Sequence, residues 1–314
     1  MKIVITESQD YNPKAIEIYQ NLGTVKLLDK LTFNNLYEIT DANVLVVRLG
    51  IGLTTEILKE VHNLKHIVTP TTGLNHIDLD YTNKAKIVIH SLKGETEFLN
   101  QIPSTAEHTW ALILATQRKL IPAVNHTKNM FWNRDLFKGF NLRGKKLGII
   151  GLGRVGKQVA KFANCFDMEV VFYDPFIKDF PLFANQSDNC ENVFKVADII
   201  SIHLPLNTEN VKFIDSKFIN LMKPNATIIN TSRGEVWDEE AIANALINKK
   251  ISAVATDVLV DEFNIESFKK NKLIHLQQNG YPIIITPHIA GATYDSMQET
   301  EFFIANKFIN FLKE

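Results

Sequence analysis

A glycine-rich turn in the middle of the chain constrains its fold more than any other feature. Residues 145–156 read KKLGIIGLGRVG, an apolar run followed by three glycines and a helical pattern. A strand that turns sharply into a helix needs this order, because the turn needs a residue that tolerates positive φ and the helix must pack closely on the strand. The segment therefore predicts a βαβ unit.

Short β-branched runs alternate with helical patterns on both sides of this turn. The predicted strands lie near residues 3–5, 25–28, 44–47, 66–68, 87–89, 146–150, 169–173, 198–202, 226–229, 251–255 and 283–285. Strands separated by helices favour parallel sheets that are covered on both faces. The prediction is an α/β protein with two doubly wound parallel-sheet domains.

The length of 314 residues agrees with two domains, but a cut at the midpoint would separate the glycine turn from its helix. We therefore expect one domain at residues 101–290 and a discontinuous second domain at 1–100 plus 291–314.

Composition excludes several classes of protein. The chain is 45% hydrophobic with a formal net charge of -1, which excludes a disordered chain and predicts no nucleic-acid or membrane partner. Two cysteines provide neither a disulfide framework nor a zinc site, so no metal is predicted. No apolar run approaches the length of a membrane span, and we expect a cytoplasmic protein.

The spacing of the glycines fits a dinucleotide pyrophosphate. Gly151 permits the turn, Gly153 lets the backbone approach the phosphates, and Gly156 lets the helix pack on the strand. Arg154 and Val155 begin the helix, whose N–H groups and positive dipole end favour phosphate.

Asp174 follows the next strand and completes this pattern. A carboxylate there accepts hydrogen bonds from the ribose hydroxyls and repels a 2′-phosphate, which favours NAD over NADP. The alternative is a structural strand–turn–helix with a surface aspartate.

Three downstream motifs carry a family resemblance: NTSRGEVWD at 230–238, DVLVDE at 257–262 and TPHIAGAT at 286–293. With the glycine turn and HLPL at 203–206, the chain resembles the D-isomer-specific 2-hydroxyacid dehydrogenases, and in particular phosphoglycerate dehydrogenase and hydroxypyruvate reductase-like members without a regulatory domain. The resemblance implies a flavodoxin-like substrate domain, a Rossmann NAD-binding domain, and hydride transfer between the nicotinamide and a D-2-hydroxy acid/2-oxo acid pair.

The resemblance also implies site residues. Arg233 would hold the substrate, His288 would act as acid and base, and Glu262 would favour the imidazolium and orient its ring. Further cofactor contacts fall on Thr105, His203, Pro205, Thr231, Ser232, Arg233, Asp257, His288 and Gly291.

In the first domain, the turn at 72–78 resembles the family loop whose amides bind the substrate carboxylate, through Gly73 and Leu74. Arg48 ends a strand and is either a second anion-binding group or a solvated strand end. The long stretch 91–103 is expected to affect the substrate pocket.

Two functions remain open at this point. The first is the NAD-dependent dehydrogenase, whose 2-hydroxy acid the sequence does not identify. The second is an NAD(H)-sensing co-repressor-like interaction protein, because such proteins share the fold and the catalytic set. The family also implies a homodimer, with the aromatic region 120–140 as the candidate contact.

Overall fold

The structure is a computed structural model that describes residues 1–313. The chain forms two compact units: a terminal unit, made of Met1–Ile102 and the segment from Ala292 onward, and a central unit, Pro103–Gly291. Each unit contains one parallel sheet. The structure therefore confirms the α/β class with two doubly wound parallel-sheet domains.

The terminal unit has a five-stranded sheet in the order β2-β1-β3-β4-β5, which is the flavodoxin-like order. With elements numbered along the whole chain, its strands are β1 (Lys2–Ile5), β2 (Thr24–Leu27), β3 (Val44–Val46), β4 (His66–Val68) and β5 (Val88–His90). Its helices are α1 (Pro13–Gln20), α2 (Thr55–Lys59), α3 (Leu79–Lys84), α4 (Thr96–Leu99) and α13 (Tyr294–Lys313), with a 3-10 helix at Phe33–Glu38.

The central unit has a seven-stranded sheet in the order β12-β11-β10-β9-β6-β7-β8. Its strands are β6 (Lys146–Ile150), β7 (Glu169–Tyr173), β8 (Ala184–Gln186), β9 (Ile199–Ile202), β10 (Thr227–Asn230), β11 (Ala253–Thr256) and β12 (Ile283–Ile285). Its helices are α5 (Ser104–Gln117), α6 (Leu120–Lys128), α7 (Arg154–Cys165), α8 (Cys190–Val196), α9 (Ser216–Leu221), α10 (Glu239–Ile247), α11 (Ile265–Lys270) and α12 (Lys272–Gln278), with 3-10 helices at Arg134–Phe137 and Gly234–Val236.

Each sheet is buried on both faces, which explains the near-continuous apolar runs of its inner strands. Ile149 belongs to the core on one face of the central sheet, with Val159, whereas Ile150 belongs to the core on the other face, with Val193. The strand order reverses between β6 and β9, and in the terminal sheet between β1 and β3. Ligands of doubly wound sheets bind at the carboxyl ends of the strands at such reversals.

Of the stretch 91–103, all but Pro103 belongs to the terminal unit. The stretch forms α4, and Phe98 stacks on Phe303 of α13 with ring centroids 4.0 Å apart. Glu95 pairs with Lys307 at 2.7 Å, and Leu99 is buried in the core. Residues 95–99 of this stretch thus pack against α13 and the core, and the predicted effect on the substrate pocket stays a prediction.

Every helix within residues 1–313 is too short or too polar to cross a bilayer. No group of three His, Cys, Asp or Glu side chains in the same range has a geometry that would hold a metal ion.

Candidate active site

The glycine turn lies at the strand reversal of the central sheet. Gly151 has φ +90°, and a Cβ there would come within 2.7 Å of the His203 carbonyl oxygen. A Cβ on Gly156 would lie 2.3 Å from the Gly151 oxygen, so the helix requires glycine at this position. A Cβ on Gly153 would meet no atom within 4 Å, so open space lies over the start of α7.

Asp174 is joined to this turn. Its carboxylate accepts the Leu152 amide at 2.9 Å on one oxygen and the Phe176 amide at 3.0 Å on the other. Each oxygen keeps a lone pair for a hydroxyl. The first amides of α7 have no partner within the helix, as at every helix start. A dinucleotide requires open space and helix amides for its pyrophosphate and an oriented carboxylate for its ribose. This site has all three, so it fits NAD.

His203 and Pro205 follow β9 beside the turn. Burial lowers the pKa of His203 to about 3, so its ring is neutral near pH 7. Its Nε2 lies 2.8 Å from Ser201 Oγ. Asn210 donates to the Pro205 carbonyl at 2.9 Å, which holds this segment in place.

The end of β10 presents Arg233. The fully buried Asn230 donates to the Arg233 carbonyl at 2.9 Å and accepts the Ser232 amide and hydroxyl at 3.0 and 2.7 Å. Gly234 follows, where a Cβ would lie 2.1 Å from the Leu259 carbonyl carbon. The glycine therefore allows the loop after β11 to lie against the arginine turn.

Both burial and nearby carboxylates affect the pKa of Arg233. Burial lowers the pKa of its guanidinium, while the charges of Glu262 and Glu235 raise it. A guanidinium forms strong, often bidentate hydrogen bonds with carboxylates. The predicted contact of Arg233 with the substrate stays a prediction.

His288 and Glu262 form the hydrogen bond that the resemblance implied. His288 Nδ1 bonds to Glu262 Oε1, and the other carboxylate oxygen accepts the Leu259 amide at 3.1 Å. Because Nδ1 is bonded to Glu262, Nε2 is the ring nitrogen available for proton transfer. Nε2 has no hydrogen-bond partner within residues 1–313. His288 has φ +54°, a left-handed backbone that only strong local contacts maintain in a non-glycine residue.

Asp257 supplies those contacts. Its carbonyl accepts the His288 amide at 2.9 Å, and its carboxylate accepts the amides of Ile289 and Ala290 at 2.9 and 2.7 Å. Burial raises the pKa of this carboxyl, but hydrogen bonds from His108, Thr286 and the two amides lower it below its usual value. Asp257 is thus a buried anion that holds the His288 loop, and its predicted contact with the nicotinamide stays a prediction.

Sequence reasoning missed the supports of this loop. Thr286 donates its hydroxyl to Asp257 at 2.5 Å, and His108 Nε2 lies 2.9 Å from the same hydroxyl oxygen. Because the single hydroxyl hydrogen is used on Asp257, His108 Nε2 must carry the hydrogen of the second bond. The signals in the sequence were the place of Thr286 at the start of the TPHIAGAT motif and the polar residues among the apolar ones of α5.

Thr105 and Thr231 are brought together by a third threonine. Thr109 donates to the Thr105 carbonyl at 2.7 Å, and its hydroxyl lies 2.8 Å from that of Thr231. Gly291, by contrast, stands exposed in open space beyond the His288 loop.

In the terminal unit, the turn after β4 has the predicted donors. Thr71 donates its hydroxyl to the Gly73 carbonyl at 2.8 Å. The amides of Gly73 and Leu74 have no acceptor in the part of the chain that the structure describes. Successive amides without an acceptor are able to bind an anion when they converge. The predicted contact of these two amides with the substrate carboxylate stays a prediction.

Arg48 has a different environment from the one expected. Its Nε donates to Glu301 at 2.8 Å, its Nη2 also bonds to Glu301, and its Nη1 donates to the Gln9 carbonyl at 2.9 Å. The guanidinium carbon lies 5.0 Å from the centre of the Tyr11 ring. The arginine is thus held in an internal ion pair.

Comparison with known proteins identifies the family. The family described as "D-isomer specific 2-hydroxyacid dehydrogenase, NAD binding domain" matches residues 110–290, over half of the chain. Hydroxypyruvate reductase of Thermotoga maritima is 32% identical over 269 residues, covering 86% of this chain and 84% of its own. D-3-phosphoglycerate dehydrogenase of Methanocaldococcus jannaschii is 35% identical over 314 residues, but this chain spans only 56% of that protein's length.

A solved structure agrees. D-lactate dehydrogenase of Aquifex aeolicus, complexed with NAD and lactic acid, matches with a TM-score of 0.82 and 28% identity, covering 100% of this chain and 96% of its own. These matches confirm the resemblance, and the chain belongs to the D-isomer specific 2-hydroxyacid dehydrogenase family, with that family's NAD binding domain in its central unit.

Proposed function

We propose that the protein is an NAD-dependent oxidoreductase that interconverts a D-2-hydroxy acid and its 2-oxo acid. The observation that carries this proposal is the Glu262–His288 hydrogen bond, which commits Nδ1 and leaves Nε2 for acid–base chemistry. Arg233, Glu262 and His288 follow β10, β11 and β12, which are neighbours in one sheet. Parallel strands place these loops at one edge.

In the reduction, NADH held by the glycine turn and Asp174 would supply a hydride to the carbonyl carbon of the 2-oxo acid. Arg233 binds the substrate carboxylate and polarises the carbonyl oxygen through charge-assisted hydrogen bonds. His288 donates the Nε2 proton to the oxygen as negative charge develops there. Glu262 holds the ring through Nδ1 and stabilises the imidazolium that precedes proton donation. In the oxidation, the same Nε2 accepts the hydroxyl proton.

The two compact units take different parts in this function. We assign cofactor binding to the central unit, through the glycine turn, Asp174, and the residues already named around His203, Thr105, Thr231 and Asp257. We assign substrate-carboxylate binding in the terminal unit to the amides of Gly73 and Leu74, supported by the absence of any other acceptor for them in residues 1–313.

We also propose a homodimer joined through region 120–140. Every residue of α6 is at least partly exposed, and beyond it Met130 and Trp132 are 92% and 93% exposed. Region 120–140 and its immediate flanks, residues 118–146, carry eight Lys or Arg and one Asp in a chain of net charge -1, so the rest of the chain is acidic. A second copy therefore offers both apolar area and opposite charge to this segment.

The experiment that tests the activity follows NADH absorbance with purified protein and a panel of glyoxylate, hydroxypyruvate, pyruvate, 2-oxoglutarate and phosphohydroxypyruvate. We expect NADH oxidation with at least one of them and a product of D configuration. NADH binding without turnover of any compound would contradict the proposal, and NADH-dependent capture of a partner protein would then favour the co-repressor function.

A further inference from the structure

The carboxyl edge of the terminal sheet holds an ion pair whose position bears on the choice of substrate. Strands β1, β3 and β4 are neighbours, and Val46 pairs in register with Val68. Arg48 lies two residues beyond the end of β3, and the Gly73 turn begins just beyond the end of β4. The arginine and the anion-binding amides therefore follow adjacent strands at the same edge.

Arg48 at such an edge is the natural ligand for a second anionic group, such as a phosphate, but here it already has an anionic partner. Glu301 of α13 is fully buried and takes both Nε and Nη2 of the guanidinium, which is the forked edge that arginine uses for phosphates. The second oxygen of Glu301 accepts the Asn12 amide at 2.7 Å.

A second carboxylate contacts the backbone of Arg48. Glu7 accepts the Arg48 amide at 2.7 Å. A Cβ on Gly50 would fall 1.7 Å from the Glu7 side-chain oxygen, so the carboxylate is packed into this turn. Glu7 thus bonds to the backbone of Arg48 and interacts with the arginine's charge, while the guanidinium lies over the Tyr11 ring.

Releasing Arg48 toward a substrate would leave Glu301 as an unpaired charge in the interior. Breaking a buried ion pair on one side is strongly unfavourable, because the remaining charge has lost both water and its partner. A phosphate or a second carboxylate approaching the intact pair would meet like charges.

We infer that Glu301 determines substrate class: by neutralising Arg48, it restricts the enzyme to 2-oxo acids whose carboxylate is their only negative charge. This inference rests on the proposed function. The relatives include proteins named for a phosphorylated hydroxy acid and proteins named hydroxypyruvate reductase and glyoxylate reductase. Among these substrates, glyoxylate and hydroxypyruvate satisfy the restriction, whereas phosphohydroxypyruvate, 2-oxoglutarate and other dianions do not.

The first test compares kcat/KM for hydroxypyruvate and phosphohydroxypyruvate in the wild-type protein. We expect a ratio of at least about 100 in favour of hydroxypyruvate, since like-charge contacts cost several kcal/mol. A kcat/KM for phosphohydroxypyruvate equal to or above that for hydroxypyruvate overturns the inference, whichever cation binds the phosphate. That result leaves the proposed function standing.

The second test removes the neutralising charge. Glu301→Gln frees the Arg48 charge with little change in side-chain shape, and we expect the ratio to fall at least about tenfold, the worth of one charge-assisted contact. Glu299→Gln is the matched control, because Glu299 is an exposed acid on the same helix, and it should leave the ratio unchanged. A folded Glu301→Gln protein with the wild-type ratio overturns the inference.

A binding measurement separates the inference from the activity. We expect 3-phosphoglycerate to raise the melting temperature of Glu301→Gln but not of the wild-type protein. If the Gln variant does not fold, Glu301→Met also removes the charge while keeping an unbranched side chain of similar length, and the same protection is expected there. If the wild-type protein turns over no 2-oxo acid, the proposed function fails. The role of Glu301 is overturned if 3-phosphoglycerate raises the melting temperature of the wild-type protein, or if it raises that of neither folded variant.

Discussion

The hydroxyl of Thr286 is the shared support of the His288 loop, and its removal gives a sharp prediction. In Thr286→Val, the side chain keeps its shape but loses the bond donated to Asp257 at 2.5 Å and the bond accepted from His108 at 2.9 Å. The first is a bond to a buried carboxylate, worth about 1.5–3 kcal/mol, and the second adds about 1 kcal/mol. We expect the free energy of unfolding to fall by about 2–4 kcal/mol.

The assay for this prediction is urea unfolding followed by tryptophan fluorescence. All three tryptophans, Trp110, Trp132 and Trp237, lie in the central unit, so the signal reports the unit that contains Thr286. We also expect kcat to fall by about tenfold, because His288 is held in its left-handed conformation by the loop that Thr286 supports.

Thr286→Ser is the matched control, since it keeps the hydroxyl and loses only the methyl group. We expect it to retain most of the stability lost in Thr286→Val. Equal losses in the two variants, or a Val variant as stable as the wild-type protein, would refute the reasoning that the hydroxyl holds this loop.

Three further predictions concern other parts of the molecule. Burial, with His66 and Lys307, lowers the pKa of His90 to about 4, so the unfolded state takes up the proton first. The free energy of unfolding of the terminal unit should therefore fall by about 3 kcal/mol as pH falls from about 6.5 to about 4. His90→Phe should remove this loss, which hydrogen exchange of the β4 and β5 amides measures. The same pH profile in the wild-type protein and the variant would contradict the prediction. Gly153→Val should weaken NADH binding at least about tenfold in a fluorescence titration without lowering the melting temperature, because a side chain there enters open space; unchanged affinity would contradict it. Trp132→Ser should convert a dimer to a monomer in light scattering, and a monomeric wild-type protein would remove the basis of that prediction.

The parts of the fold that follow from local pattern were predictable from the sequence. The glycine turn and the inner strands appear where the apolar runs predicted them, because strands buried on both faces leave a continuous signal. Strand β8 was missed: its three residues, Ala184–Gln186, are largely polar and pair only with β7 at the edge of the sheet. A short edge strand has no periodicity to detect.

The candidate site was predictable only where a motif carried it. Arg233, Glu262 and His288 could be selected because each lies in a recognisable motif. Thr286 begins the same motif as His288, but its supporting role, like that of His108, is visible only in tertiary contacts. Arg48 shows the limit most clearly. Its strand-end position suggested a substrate ligand, but its partner Glu301 lies 253 residues away in sequence, on a helix that returns to the first sheet. Sequence spacing could not indicate that pair.

The central claim is that His288 Nε2 supplies the proton while Glu262 holds Nδ1. The most direct measurement compares the wild-type protein with His288→Gln in two quantities, kcat for hydroxypyruvate or glyoxylate reduction and the dissociation constant of NADH. The account predicts a fall in kcat of about 10²–10⁴-fold with NADH affinity changed by no more than about twofold. A variant that retains wild-type turnover would contradict the assignment of His288 as the proton donor.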